Sequence, residues 1–297
     1  MTPKIDIKNW LTGKTTSSAS IILKGLGQIM LQENAVAGFL FLIGIFYGSV
    51  TMGVAALLAT ACGTAAAILL KYDKSEIDKG LYGFSAALVG VAIMLFIKPV
   101  FLSWVFIIVG SILATVLQHF FIKRKIPVFT LPFVLVTWVI LLFANNYFTG
   151  IMLEPPVAIA STTDYFTFGF KGYGQVIFQD SLVSGVLFFI AVFICSPISA
   201  LYGLAGAILS AIIAFKFSAP INDISIGLFS FNAVLCAIVF AGHQIKDGIW
   251  VLISVLLSLA ISLLMSKFNI TQLTFPFVLA SCITLFLKSK QSFAIKK

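Results

Sequence analysis

Charge is what this chain of 297 residues has least of. Only 10% of its residues are Asp, Glu, Lys or Arg, where a water-soluble domain carries roughly a quarter. So few charges cannot furnish a hydrated surface of the ordinary kind. Acids are the scarcer sign, ten against nineteen lysines and arginines, and there are two histidines. Cys62, Cys195, Cys236 and Cys282 lie apart in apolar stretches without a Cys-x-x-Cys pair, so they read as small buried hydrophobes rather than disulfide or metal ligands. No P-loop is present, which excludes ATP as a driver. No nucleophile–base or metal-ligand cluster stands at a workable spacing, so neither an enzyme nor a bound cofactor is expected. The first twenty residues hold Lys4, Lys8 and Lys14 and no apolar core, so no cleavable signal is read there.

What fills the space is hydrocarbon: 60% of residues are hydrophobic, thirty are Phe, and mean hydropathy is +1.12. The runs are long, unbroken and rich in Ala, Leu, Ile and Gly. Outer-membrane strands would instead alternate with period two over about 10 residues. An all-α integral membrane protein is expected, in contact with lipid. A span needs about 20 apolar residues. The first half offers 35–50, 51–70, 80–97, 99–122 and 128–148; the second offers 182–197, 198–216, 226–242, 248–266 and 272–287. Shorter apolar pieces, 19–32 and 166–179, precede each set and read as re-entrant half-helices. With ten spans, fifteen of the nineteen Lys and Arg fall on one side. The other side receives only Lys98, Lys171, Lys216 and Lys267. This bias predicts that both termini are cytoplasmic in an inner membrane, and it explains a net charge of +9 without any nucleic acid.

The chain also contains itself twice. Gly25-Leu-Gly-Gln-Ile-Met-Leu-Gln32 returns as Gly172-Tyr-Gly-Gln-Val-Ile-Phe-Gln179, a shift of 147 residues. The same shift carries Val36 to Val183, Gly38 to Gly185, Ser49 to Ser196 and Gly80–Phe84 to Gly227–Phe231. Thr130-Leu-Pro-Phe133 returns as Thr274-Phe-Pro-Phe277 after 144. Five spans per half is odd, so the second copy must insert upside down relative to the first. The expectation is one membrane domain over 1–297, made of inverted repeats 19–148 and 166–290 with a pathway at their interface.

Repetition picks out candidate pathway residues. Gln28 and Gln32, and likewise Gln175 and Gln179, are four apart and so share a helical face. Beside helix-end carbonyls they form a row of acceptors suited to a substrate rich in N–H donors. Helix glue and turn capping are the plainer readings, and matched copies favour the acceptor row. Phe84 and Phe231, with Leu88 and Leu235 one turn on, are matched apolar walls for a narrow dewetted slot. Thr130 and Thr274 precede Pro132 and Pro276; two readings stand level, a midplane hydrogen bond or a helix cap. Glu33 and Asp180 match just after the half-helices and are expected at helix ends, not in a proton relay. Glu154 and Asp164 are placed in a loop. His119 reads as a satisfied helix residue and His243 as a span end. Uncoupled passage of a neutral solute fits this inventory best, with a gradient-coupled carrier of a small amide or nucleobase as the rival.

At residues 25–32, 36–44, 80–90 and 130–135, and in their second copies including Phe-Asn-Ala-Val-Leu-Cys at 231–236, the chain resembles the urea transporter family. The resemblance spans about 20–290. It implies a homotrimer with one pore per subunit, passing urea down its gradient through phenylalanine slots flanked by oxygen ladders. Carried over by position, Gln28 and Gln175 are ladder residues, and Ile29 and Val176 lend the next backbone carbonyls. Phe84, Phe231 and Phe178 are slot residues, Leu88 and Leu235 slot-side walls, and Thr130 and Thr274 midpore threonines. Leu31 stands where the family's pattern has a slot phenylalanine. Gln175 replaces a glutamate found in some members, and Ser85 stands where the second copy keeps Asn232.

Overall fold

The computed structural model describes residues 17–153 and 165–295. Glu154, Asp164, Lys4, Lys8, Lys14, Lys296 and Lys297 lie outside the described residues. Within them the chain is almost entirely helical, the sole β pairing being an isolated bridge between Ile97 and Met152. The first seven helices are α1 Ser18–Gly27, α2 Ala35–Gly48, α3 Val50–Leu69, α4 Lys74–Asp78, α5 Phe84–Phe96, α6 Phe101–Lys123 and α7 Leu131–Tyr147. The next seven are α8 Tyr165–Gln175, α9 Leu182–Cys195, α10 Pro197–Lys216, α11 Ile221–Ser225, α12 Phe231–Phe240, α13 Ile245–Lys267 and α14 Phe275–Ile295.

Helix lengths follow the sequence repeat. α3 and α10 have 20 residues each, α6 and α13 have 23, α2 and α9 have 14, and α4 and α11 have five. The starts of α3 and α10 are set by the same device. Ser49 and Ser196 take extended backbone, and each hydroxyl accepts from an N–H three residues on, Met52 N and Ser199 N. The ten positive-φ residues described also fall into pairs. Leu31 matches Phe178, Lys71 matches Ser218 and Gly80 matches Gly227 at 147; Lys125 matches Asn269 and Phe129 matches Leu273 at 144. Gly80 needs to be glycine twice over: its φ is +78°, and a Cβ there would stand 2.4 Å from Gly25 N. Gly227 repeats this at φ +85° and 2.6 Å from Gly172 N.

Four helices, α3, α6, α10 and α13, are long and apolar enough to cross a membrane unaided. At 1.5 Å per residue, 20 residues cover about 30 Å, the thickness of the hydrocarbon core. α1 with its 3₁₀ extension (Gln28–Met30) and α2 form a fifth, sharply bent unit, turning 76° at the break. Most of the remaining runs yield shorter helices than hydropathy alone indicates, whereas the 272–287 run gives the 21-residue α14. Residues 80–83 and 227–230 are turns, so the 80–97 and 226–242 runs become helices of 13 and 10 residues. All of α5 from Phe84 to Met94 is buried, and α12 is buried from Phe231 to Ile238. Helices apolar on every side belong inside a protein, enclosed by the longer ones.

The outside is apolar as well. Along α6 the exposed face carries Ile108, Val109, Ile112, Leu113, Val116 and Phe120. A soluble protein does not present such a continuous belt to water. This is a multi-pass membrane protein.

Equivalent residues of the two halves meet at two places. Phe41 of α2 packs edge-on against Phe188 of α9, with ring centroids 5.3 Å apart. Thr130 and Thr274 meet through their hydroxyls at 2.6 Å. Residues that touch their own equivalents lie beside the axis relating two copies, as in an isologous interface.

Candidate functional site

α1, through its 3₁₀ extension, and α8 end in the same way. Leu31 N donates to Gln28 O (3.0 Å) and Gln32 N to Gly27 O (3.0 Å); in the second copy Phe178 N donates to Gln175 O (3.1 Å) and Gln179 N to Gly174 O (3.0 Å). This is the Schellman pattern, with the residue between in the left-handed region, φ 60° at Leu31 and 57° at Phe178. Glycine is the usual occupant of that position. A leucine and a phenylalanine there cost about 1–2 kcal/mol, which surrounding packing must offset. No backbone N–H among the described residues donates to Ile29 O or Val176 O, the two carbonyls that the family resemblance singles out.

This ending corrects one expectation. Gln32 and Gln179 do not extend the helical face of Gln28 and Gln175, because the chain leaves the helix before reaching them. Gln32 Nε2 turns back to Met30 O (2.7 Å) and Gln179 Nε2 to Ile177 O (3.0 Å). These two glutamines cap the turn. Gln28 and Gln175 remain apart from it. Gln28 Nε2 donates to Lys79 O (3.0 Å), just past the end of α4, where Lys24 Nζ also reaches Asp78 O (3.3 Å). Gln175 is buried, and its amide makes no hydrogen bond with described residues.

The second-copy residues share one chamber. Gln175, Phe178 and Phe231 line a cavity of about 790 Å³, together with Lys171, Asp180 and Asp223. Burial raises the Asp223 carboxyl above its ordinary value. Deeper in, Val176, Leu235 and Thr274 are fully buried, as are Leu88 and, within a few per cent, Ile29 and Thr130. Ile29, Phe84, Leu88, Val176, Phe231 and Leu235 belong to one apolar core, with Phe178 packed against it. In the first copy, Phe84 is buried and Leu31 exposed.

The helix-cap reading does not hold for Thr130. It stands at the N-cap of α7 but makes no side-chain cap bond; its hydroxyl meets Thr274 instead. The acids stand at helix ends: Glu33 and Asp180 are exposed, with Glu33 3.9 Å from Lys24 Nζ. His119 is satisfied, stacked on Tyr72 at 3.6 Å with Nδ1 2.9 Å from Tyr82 Oη, which donates to Glu76. Cys236 is buried, whereas Cys62, Cys195 and Cys282 are only partly so.

Asn232 has a role the sequence flagged only through the departure at Ser85. Its Oδ1 accepts from Phe277 N (3.1 Å) and its Nδ2 donates to Leu273 O (3.4 Å), clasping the segment that carries Thr274. Ser85 is too short for this, and its hydroxyl goes to Gln118 Oε1 (3.3 Å). Asn232→Ala leaves a buried N–H and C=O without partners, at a cost of about 1–3 kcal/mol each. The expected result is a lower unfolding temperature in detergent for Asn232→Ala and a near-normal one for Ser85→Ala. Equal, small shifts in both would contradict the clasp.

Comparison with known proteins places this arrangement. Residues 19–289 match the family described as urea transporter. Urea transporter 1 of Capra hircus is 26% identical over 313 aligned positions, covering 96% of this chain and 81% of that one. Urea transporter 1 of Rattus norvegicus is 28% identical over 256 positions, covering 80% of this chain and 67% of its own. With the match running from α1 through most of α14, the chain belongs to the urea transporter family.

Proposed function

We propose that this protein lets urea cross the inner membrane passively, without coupling to an ion gradient, along a path between two inverted halves, 19–148 and 166–290. The observation that carries the reading is the contact between Thr130 and Thr274, equivalent residues that meet hydroxyl to hydroxyl inside the membrane-spanning core. A two-fold axis in the membrane plane sends equivalent residues to opposite sides of the midplane, except beside the axis, where they touch. Ten crossings and the lysine bias put both termini in the cytoplasm. Gln175 and its chamber then open outward, and Gln28 opens inward. Urea is flat and carries four N–H donors. Gln28, Gln175 and the unpaired Ile29 and Val176 carbonyls supply acceptors, while Phe84, Phe178 and Phe231, with Leu31, Leu88 and Leu235, supply apolar walls. Thr130 and Thr274 offer hydrogen bonds at the centre. The protein works as a homotrimer with one path in each subunit, and no chemical step is assigned to it.

Stopped-flow light scattering on proteoliposomes under an inward urea gradient tests this. Fast urea uptake is expected, unchanged by a superimposed pH or sodium gradient. Phe231→Ala and Phe84→Ala are expected to reduce discrimination against N-methylated ureas by about tenfold, since one slot wall is worth about 1–3 kcal/mol. Uptake that requires a gradient would assign coupling and return Glu33 and Asp180 to consideration. No uptake by folded protein would sink the urea reading.

A further inference from the structure

We infer that Gln272 is a further permeant-binding residue, its side-chain amide accepting a hydrogen bond from an N–H of urea in the chamber that also holds Gln175. The inference rests on the urea reading above.

Gln272 lies in the turn between α13 and α14, two residues before Thr274. Its main chain is fixed on both sides. Trp138 Nε1 holds Thr271 O (2.9 Å), Asn232 Nδ2 holds Leu273 O (3.4 Å), and Gln272 O itself accepts from Phe275 N (3.1 Å). The side chain is 8% exposed and lines the chamber with Gln175, Phe178 and Phe231. Its Oε1 is buried and has no hydrogen-bond partner. Buried amide oxygens are almost always satisfied, and leaving one bare is unfavourable. Among the described residues no side chain supplies the missing donor. A small planar amide in the chamber supplies it once the Gln272 side chain turns its oxygen toward the cavity.

The repeat sharpens the argument, because it is broken here. At the shift of 144 the first copy has Val128. Gln28, the counterpart of Gln175, has its Nε2 occupied by Lys79 O. One mouth therefore offers two amides without a hydrogen-bond partner among the described residues, Gln175 and Gln272; the other offers one that is partly engaged. Phe178 likewise corresponds to a leucine in the first copy, Leu31. The two ends of the path are chemically unequal, and the end with the chamber is built to concentrate an N–H donor before the central threonines.

The test is the concentration dependence of urea flux in proteoliposomes containing the full chain. Gln272→Met keeps the side-chain length and removes the acceptor, whereas Gln272→Glu keeps an acceptor oxygen. Gln272→Met is expected to raise the half-saturating urea concentration about fivefold to tenfold, the effect of one net hydrogen bond, with maximal flux little changed. Gln272→Glu is expected to stay near wild type. An unchanged half-saturating concentration in Gln272→Met overturns the inference, even if maximal flux falls, since that pattern belongs to a residue that only packs. Gln272→Glu weakened as much as Gln272→Met overturns it too. Wild-type protein without urea flux sinks the permeation reading itself, a distinct result.

Discussion

Gly38→Ala is expected to abolish the folded protein. A Cβ at this position would stand 1.7 Å from Leu23 O and 2.6 Å from Leu23 C, both backbone atoms of α1. No rotamer change relieves a clash with main chain, so α1 must be pushed off α2 at the point where the two bend past each other. The same contact recurs in the second half, where a Cβ at Gly185 would meet Phe170 O at 2.1 Å. Overpacking of this severity lies at the extreme of single substitutions, above about 4 kcal/mol, against a total stability of about 5–15 kcal/mol. α1 also leads directly into the 3₁₀ turn that carries Gln28, so whatever folds is expected to conduct urea poorly. Gly150→Ala is the control, since its Cβ would meet nothing within 4 Å. The check is a monodisperse size-exclusion peak and an unfolding midpoint in detergent. A wild-type midpoint for Gly38→Ala would show that α1 sits farther from α2 than this packing allows.

The sequence made the helical architecture legible because several independent signals agreed. Long apolar runs placed α3, α6, α10 and α13, and repeated glycines and serines marked the same turns and caps in both halves. Hydropathy could not separate the turn at residues 80–83 from the helix that follows, because Leu81 and Tyr82 are as apolar as what they precede. The left-handed turns at Leu31 and Phe178 were hidden for another reason: with no glycine there, tertiary packing overrides local preference, and Gln32 and Gln179 fold back. Within the site, repetition brought Gln175 and Phe231 forward and the family resemblance brought Phe178, and all three line one chamber. The same criterion concealed Gln272. A residue present in one copy and replaced by Val128 in the other gives no repeat signal, and only its burial and its unpaired oxygen single it out. Asn232 lay between these cases, visible as a mismatch with Ser85 whose consequence required the positions of Leu273 and Phe277.

Replacing both central threonines is expected to separate stability from transport. Thr130 and Thr274 are buried, and each hydroxyl has the other as its partner at 2.6 Å. Thr130→Val or Thr274→Val alone strands one buried hydroxyl, at a cost of about 1–3 kcal/mol. Changing both removes the pair together, and replacing two partners by apolar groups of the same shape is close to neutral. The double variant should therefore be more stable than the sum of the single effects predicts, with a coupling of about 0.5–3 kcal/mol as for residues in contact. Urea flux should move the other way. A partly dehydrated molecule passing this level loses one hydrogen-bonding hydroxyl in each single variant, slowing flux by about fivefold to tenfold, and loses both in the double. A more stable, less conductive double variant is a combination that simple packing damage does not produce. Strictly additive stability losses would show that the hydroxyls do not meet. Wild-type flux through the double variant would place the path elsewhere, even with the hydroxyl contact intact.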